Sequence, residues 1–349
     1  MDTLILKSDV TILRTFQLPF LGKVLVHTGQ HVSAGEVLAT LDLPERFQVF
    51  DILNNFKVEP ERLEGLVKRL VGEPFKAGDI IAQKPGLFSR IFRASQDGKA
   101  VSLRDGKITL ALGNKQIEVK ADLPGCVMEL VFEQRVTIGT QGSLLQGVWG
   151  NGKSAAGLLT LPNLVGSGSE LTDKLAEITG SICFVGNLSD TGQFQQVLAA
   201  QPHGLIFAAI PPAMLSLVEN LPIPVLCLVG FGDENADPLS LALLEEMKGS
   251  LVYLRAGRPN LLSGEKPELI LPKEDVSVGA KGEEIPALQV GSLVRLLGKP
   301  YHGSLGTVVD LPELSEQFAS GLSTPPLVVK REDGEVIHVP RTNVLLILN

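Results

Sequence analysis

The chain has 349 residues, of which 44% are hydrophobic and 20% charged, and its formal net charge is -8. This length accommodates two or three domains with their own cores; the composition excludes a disordered chain, and the acidic balance excludes nucleic-acid binding that rests chiefly on phosphate neutralisation. With 36 Gly and 22 Pro but only 5% aromatics, many short strands and turns are expected.

The first residues, MDTLILKSDVTILR, lack the basic-then-apolar order of a signal peptide. The most apolar stretch, GLIFAAIPPAMLSLV, is interrupted by Pro211 and Pro212 and is too short to span a bilayer. A cytoplasmic protein without a membrane partner is expected. Cys126, Cys183 and Cys227 are widely spaced in apolar stretches, which reads as buried thiols in a reducing compartment.

Residues 1–160 read as strands and turns. GKVLVHTGQHVSAGEVLATLD (22–42) alternates apolar and polar residues around two glycines, and a related phrase recurs as LVKRLVGEPFKAGDIIAQKPG (66–86). Aligning Gly29 with Gly72 and Gly35 with Gly78 sets Val37-Leu-Ala beside Ile80-Ile-Ala. Each phrase turns twice where a positive φ costs glycine little, then enters a strand. These phrases resemble the biotinyl/lipoyl-like barrel-sandwich hybrid. That resemblance implies a β platform, but the family's modified lysine lacks its signature here: Lys84 precedes Pro-Gly and does not sit at a symmetric hairpin tip. No cofactor is expected.

GVWGNGKS (147–154) spells a P-loop, with Gly147, Gly152, Lys153 and Ser154 as its nucleotide residues. A working loop needs a strand before it and a helix after it, so that backbone amides converge on phosphate. Here Gly157 and Pro162 leave room for little more than a turn of helix, and no strand ending in a magnesium-binding acid follows. The expected role is a glycine-rich turn closing the hybrid, with Trp149 packed against it and Lys153 solvated. GSGS (166–169) then reads as a flexible linker.

From 178 to 275 the period changes. SICFVGN, GLIFAAI, IPVLCLVGFGD and SLVYLRA are short apolar runs separated by helical spacing at 189–201, 211–221 and 237–249. This alternation predicts a small α/β domain with a parallel sheet covered on both faces. Loops at the carboxyl ends of such strands converge on a crevice, so Gly186, Asn187, Gly230, Gly232 and Asp233 are candidate ligand-binding residues. Asp190 is expected to cap the first helix.

Residues 286–349 contain VGSLVRLLGKPYHGSLGTVV and a hairpin turned at EDGE. The V-G-x-x-V-R pattern followed by G-x-V-V resembles the KOW motif of SH3-like barrels, with Gly306 at a bend and Val294, Val308 and Val309 in the core. Arg295, Lys299, Tyr301 and His302 are the candidate residues for docking protein or RNA. The resemblance implies transcription or translation machinery as a family tendency. Taken whole, the order of hybrid, α/β domain and barrel resembles an uncharacterised bacterial family, and that resemblance carries over no activity.

His27, His31, His203, His302 and His338 lack metal spacing, so no metal is expected, and no nucleophile elbow occurs. The expected protein is therefore a multi-domain α+β adaptor without catalysis. It would dock on a protein partner, with RNA or a ribonucleoprotein as a further partner of the barrel and no DNA partner. Two alternatives stay open: a ligand-binding regulator or enzyme using the α/β crevice, and a P-loop NTPase.

Overall fold

The computed structural model describes residues 3–18, 22–86, 89–132, 134–162, 175–258, 265–282 and 286–349; the expected linker at 166–169 lies outside them. Its largest sheet draws strands from the whole chain. The first are β1 (Thr3–Gln17), β2 (Gly125–Val131), β3 (Arg135–Gln146), β4 (Trp149–Gly150) and β5 (Lys153–Thr160). Next come β6 (Ile182–Gly186), β7 (Gly204–Ile210), β8 (Val225–Phe231), β9 (Leu251–Ala256) and β10 (Glu268–Asp275). The last are β11 (Leu293–Leu296), β12 (Leu305–Asp310), β13 (Pro326–Arg331), β14 (Val336–Pro340) and β15 (Val344–Leu348). Hydrogen bonding orders them β4-β8-β7-β6-β5-β9-β10-β3-β1-β15-β11-β12-β13-β14, with β2 flanking β3. The molecule is thus a β-rich, multi-sheet α+β protein.

Local sequence explains these elements. In β1, Leu4, Leu6, Val10 and Ile12 are buried and alternate with less buried neighbours, apart from a register shift between Lys7 and Val10. That shift lets Asp9 take a φ of 58° and keeps the apolar residues on one face. By contrast, β7 is buried at all seven positions, as a parallel strand covered on both faces must be. It is parallel to β6 and β8, and β5 joins the set through Leu159 and Ile182.

Helix α1 (Thr191–Ala199) is capped by Asp190, whose carboxylate accepts the Gln193 N–H at 2.6 Å. Helix α2 (Pro238–Met247) opens on proline and is capped by Asp237. The short element expected after β7 is a 3-10 turn, Pro212–Met214, that leads into the helix Leu215–Glu219. One core contains Leu4, Leu145, Ile206, Leu244 and Ile347, so β1, β3, β7, α2 and β15 share it. A second core, with Phe194, Phe207 and Val218, lies under α1.

Buried charge also ties distant strands. Glu268 on β10 accepts from Arg14 of β1 and from Arg255 of β9, and Arg255 also bonds Asp122 at 2.5 Å. Burial alone would raise the Glu268 pKa, but the two guanidinium groups hold it below the usual carboxylate range.

The two glycine phrases fold alike, one nested inside the other. All four glycines have positive φ: 84° at Gly29, 85° at Gly35, 94° at Gly72 and 88° at Gly78. Gly29 and Gly35 donate to Val127 O and Ala121 O, while Gly72 and Gly78 donate to Ala100 O and Ala94 O. Ser33 N–H bonds the Glu36 carboxylate, as Lys76 N–H bonds that of Asp79. In the outer copy, Val37–Leu43 pairs with Lys115–Lys120. Everything between forms an inserted unit with the four-stranded order Arg46–Asp51, Lys107–Leu112, Gly98–Arg104, Pro74–Phe75. Its core, including Phe56, Phe75, Ile81 and Leu110, draws on this segment alone.

Candidate functional site

The loops after β6 and β8 meet. Asn187 ties them: its amide donates to Asp233 O at 3.1 Å and Asn235 Oδ1 at 2.8 Å, while its Oδ1 accepts from Ala209 N–H at 3.3 Å. Gly186, Gly230 and Gly232 all have positive φ, at 60°, 145° and 151°. A Cβ on Gly230 would meet the His302 ring at 3.1 Å, and one on Gly303 would meet Val229 at 2.8 Å. The loop of residues 298–304 therefore packs against the end of β8, and the two sets of candidate residues form one seam.

At this seam His302 Nδ1 lies 3.1 Å from Glu234 Oε1. Burial works against the Glu234 charge, yet its backbone and His302 bonds hold the carboxyl below its ordinary value. Its other oxygen, Oε2, is buried without a partner. Beside the pair opens a cleft of about 370 Å³, lined by Glu234, Asn235, His302, Ser304, Arg331 and Asp333. Tyr301 packs on the C-terminal core, donates to Glu335 at 3.3 Å and lies under the Arg331 guanidinium, 4.5 Å away. The signals for Asn235 and Arg331 lay in the loops GFGDEN and KREDGE; sequence spacing alone could not bring those loops together.

Arg295 is no docking residue. Its exposure is 0%, and it donates to Leu228 O at 2.9 Å and to the Asp237 carboxylate. Burial pulls its pKa down, and Asp237 offsets this only in part. Lys299 remains exposed. Val309 also departs from expectation: Val308 is buried, but Val309 is the extra residue of a register shift and is exposed.

The P-loop spelling lies between strands. Lys153 opens the eight-residue strand β5, and Ser154 follows in it. The amides are taken: Gly147 N–H donates to Pro267 O, Val148 to Cys227 O, Asn151 to Val225 O and Gly152 to Ala256 O. Lys153 is half-buried, and its Nζ donates to Leu221 O at 2.5 Å. Trp149 packs on the second core and edges Phe231 at 6.0 Å, so it anchors the parallel strands and not the glycine repeats. These bonds leave no ring of free amides for a polyphosphate.

Among the described residues, no group of three His, Cys, Asp or Glu is placed to hold a metal ion. Burial pushes the Cys183 thiol up to about 12 and Cys227 up to about 11, which suppresses thiolate chemistry. Lys84 Nζ donates to Phe56 O at 2.8 Å, at the end of a short helix. No helix among the described residues is long and apolar enough to cross a membrane.

A feature that the sequence reading missed is an open face on the inserted unit. Phe47 and Val49, on its edge strand, are 62% and 60% exposed. They stand beside Ala111 and Thr109 of the next strand, which in turn neighbour Lys99 and Ser102. Alternating apolar residues in RFQVF would ordinarily read as one buried face. Here the core takes Phe50, which stacks on Phe92, and leaves Phe47 and Val49 outside. Comparison with protein-family models finds no matching family, and comparison with curated proteins finds no match.

Proposed function

We propose that this chain is an adaptor without catalysis of its own, a β platform that presents the inserted unit to a protein partner. The observation that carries this reading is the open face of residues 44–114, with two large apolar side chains outside a unit that has its own core. The nested glycine repeats support reading the N-terminal part as a barrel-sandwich hybrid without a swinging arm, since Lys84 is tied to a helix end. The five strands β11 to β15 support a KOW-like, SH3-like barrel, whose family tendency points to transcription or translation machinery. In this reading the barrel is bound to the chain's own α/β part through Arg295 and His302, so the inserted unit makes the outward contact.

Affinity isolation of the full chain, compared with one in which Pro44–Asn114 is replaced by Asn-Gly, tests the proposal. Recovery of a stoichiometric partner by the first chain only is expected. Failure of the full chain to retain any partner would overturn the adaptor reading.

A second reading rests on the unpartnered Glu234 Oε2 beside the cleft. A metabolite that donates hydrogen bonds would dock there, and the chain would act as a regulator. It predicts a ligand-dependent rise in melting temperature that Gly230→Val removes, because the new side chain would collide with His302.

A further inference from the structure

The open face of the inserted unit has a shape as well as a composition. Its second strand, Lys107–Leu112, shows small outward residues, Thr109 and Ala111. On one side the edge strand raises Phe47 and Val49; on the other, Gly98–Arg104 raises Lys99 and Val101. Val101 is the extra residue of a register shift and is thrown outward with Ser102. The result is a shallow trough between two ridges. Strands lie roughly 4.8 Å apart, so the ridges are roughly 9.6 Å apart. That width matches an α-helix, whose diameter with side chains is roughly 10–12 Å; a single added strand needs only half of it.

Charge narrows the occupant. The outward positions of these three strands carry Lys99, Arg104 and Lys107, all exposed, against Asp51. Asp51 faces Lys107 Nζ at 4.0 Å, and its carboxylate also accepts the Asn54 N–H at 3.0 Å, which leaves Lys99 and Arg104 as the cations in excess. Residues 44–114 carry twelve Lys and Arg against nine Asp and Glu, in a chain whose net charge is -8. A second copy of this chain meeting it face to face would set cation against cation. Single-stranded RNA would meet one aromatic ring, where stacking platforms use successive rings.

We infer that this trough binds an amphipathic α-helix of a partner protein, its apolar stripe seated on Phe47, Val49 and Val101 and its acidic flanks facing Lys99, Arg104 and Lys107. This rests on the adaptor reading and names the partner class. Helix on sheet is also the layer arrangement that an uncovered apolar sheet face calls for.

The test uses the full chain, immobilised, and a display library of random sixteen-residue peptides. Enriched peptides are expected to repeat apolar residues at i, i+3, i+4 and i+7 with Asp or Glu on the flanks. Their affinity should fall at least tenfold with Phe47→Ser/Val49→Ser, and comparably with Lys99→Glu/Arg104→Glu, each variant keeping the wild-type melting temperature. A proline in mid-peptide should abolish binding. Absence of enrichment, enrichment of alternating extended or basic sequences, or undiminished binding to either variant would overturn the inference. So would a single-stranded RNA oligonucleotide that binds the face and displaces the selected peptides. If the isolation experiment recovers a partner that needs residues 44–114 while no helical peptide is selected, the helix inference fails and the adaptor reading survives.

Discussion

At the scale of single residues, buried charge carries much of the specificity. Arg295 joins α2 to β11 and satisfies Leu228 O on β8, so it fastens the C-terminal strands to the parallel set. A wholly buried guanidinium stays charged, so its burial is tolerated only while its partners are in place. Arg295→Met should cost about 3–5 kcal/mol in urea unfolding, because Asp237 is then left buried without its cation. Lys at this position should not restore the loss, since one ammonium cannot match the forked contacts. Nothing in V-R-L-L marks this arginine as internal; its partner lies 58 positions away in sequence, so it reads as a surface cation. Glu268 gives a pH signature. Its folded pKa is depressed, so its stabilisation is fully present above the unfolded carboxylate pKa, about 4.3. It is lost as pH falls through the lowered folded value. Glu268→Gln should therefore lose about 3–5 kcal/mol at pH 7, and its gap from the wild type should shrink in urea melts below about pH 4.

At the scale of elements, glycine acts for two different physical reasons, and only one can be read from sequence. The pairs Gly29/Gly35 and Gly72/Gly78 are legible because each precedes or follows a strand at fixed spacing, and all four adopt positive φ. Gly78 has open space around its missing side chain, so Gly78→Ala should cost only backbone strain, about 1–2 kcal/mol. Gly98 differs. A Cβ there would lie 2.2 Å from Ala111 O and 3.0 Å from the Phe75 ring. Gly98→Ala should cost about 3 kcal/mol, the upper end for overpacking, with loss of the peptide binding expected of the trough. Thermal melts of the two variants side by side separate strain from collision. The close approach was hidden because Gly98 opens a plain alternating strand. The P-loop letters show the same limit in reverse: Gly147 and Gly150 crowd Cys227 O and Ala256 O, so they serve strand packing in a stretch that spells phosphate binding.

At the scale of the whole molecule, nesting decides what can be separated. The outer glycine repeat closes only when Val37–Leu43 meets Lys115–Lys120, after the inner copy has been made in full. Likewise β1 lies parallel to β15, joining the two ends of the described chain in one sheet. Neither pairing leaves a local signature, because hydrophobic period fixes a strand's faces and not its partner. The repeats were therefore visible in sequence while their arrangement was not. A consequence follows for stability. The inserted unit hangs from one hairpin and has its own core, whereas β1, β3, β7, α2 and β15 share another. Residues 44–114 expressed alone should unfold as one cooperative transition, and the chain with Asn-Gly in their place should keep the body's transition, since two-residue Asn-Gly hairpins suit antiparallel strands. Differential scanning calorimetry reads both: the full chain should show the two transitions at temperatures close to those of the parts. A single merged transition, with both parts unfolded when separated, would mean that the body and the inserted unit fold as one, and the picture of an outlying unit presented on a platform would fall with it.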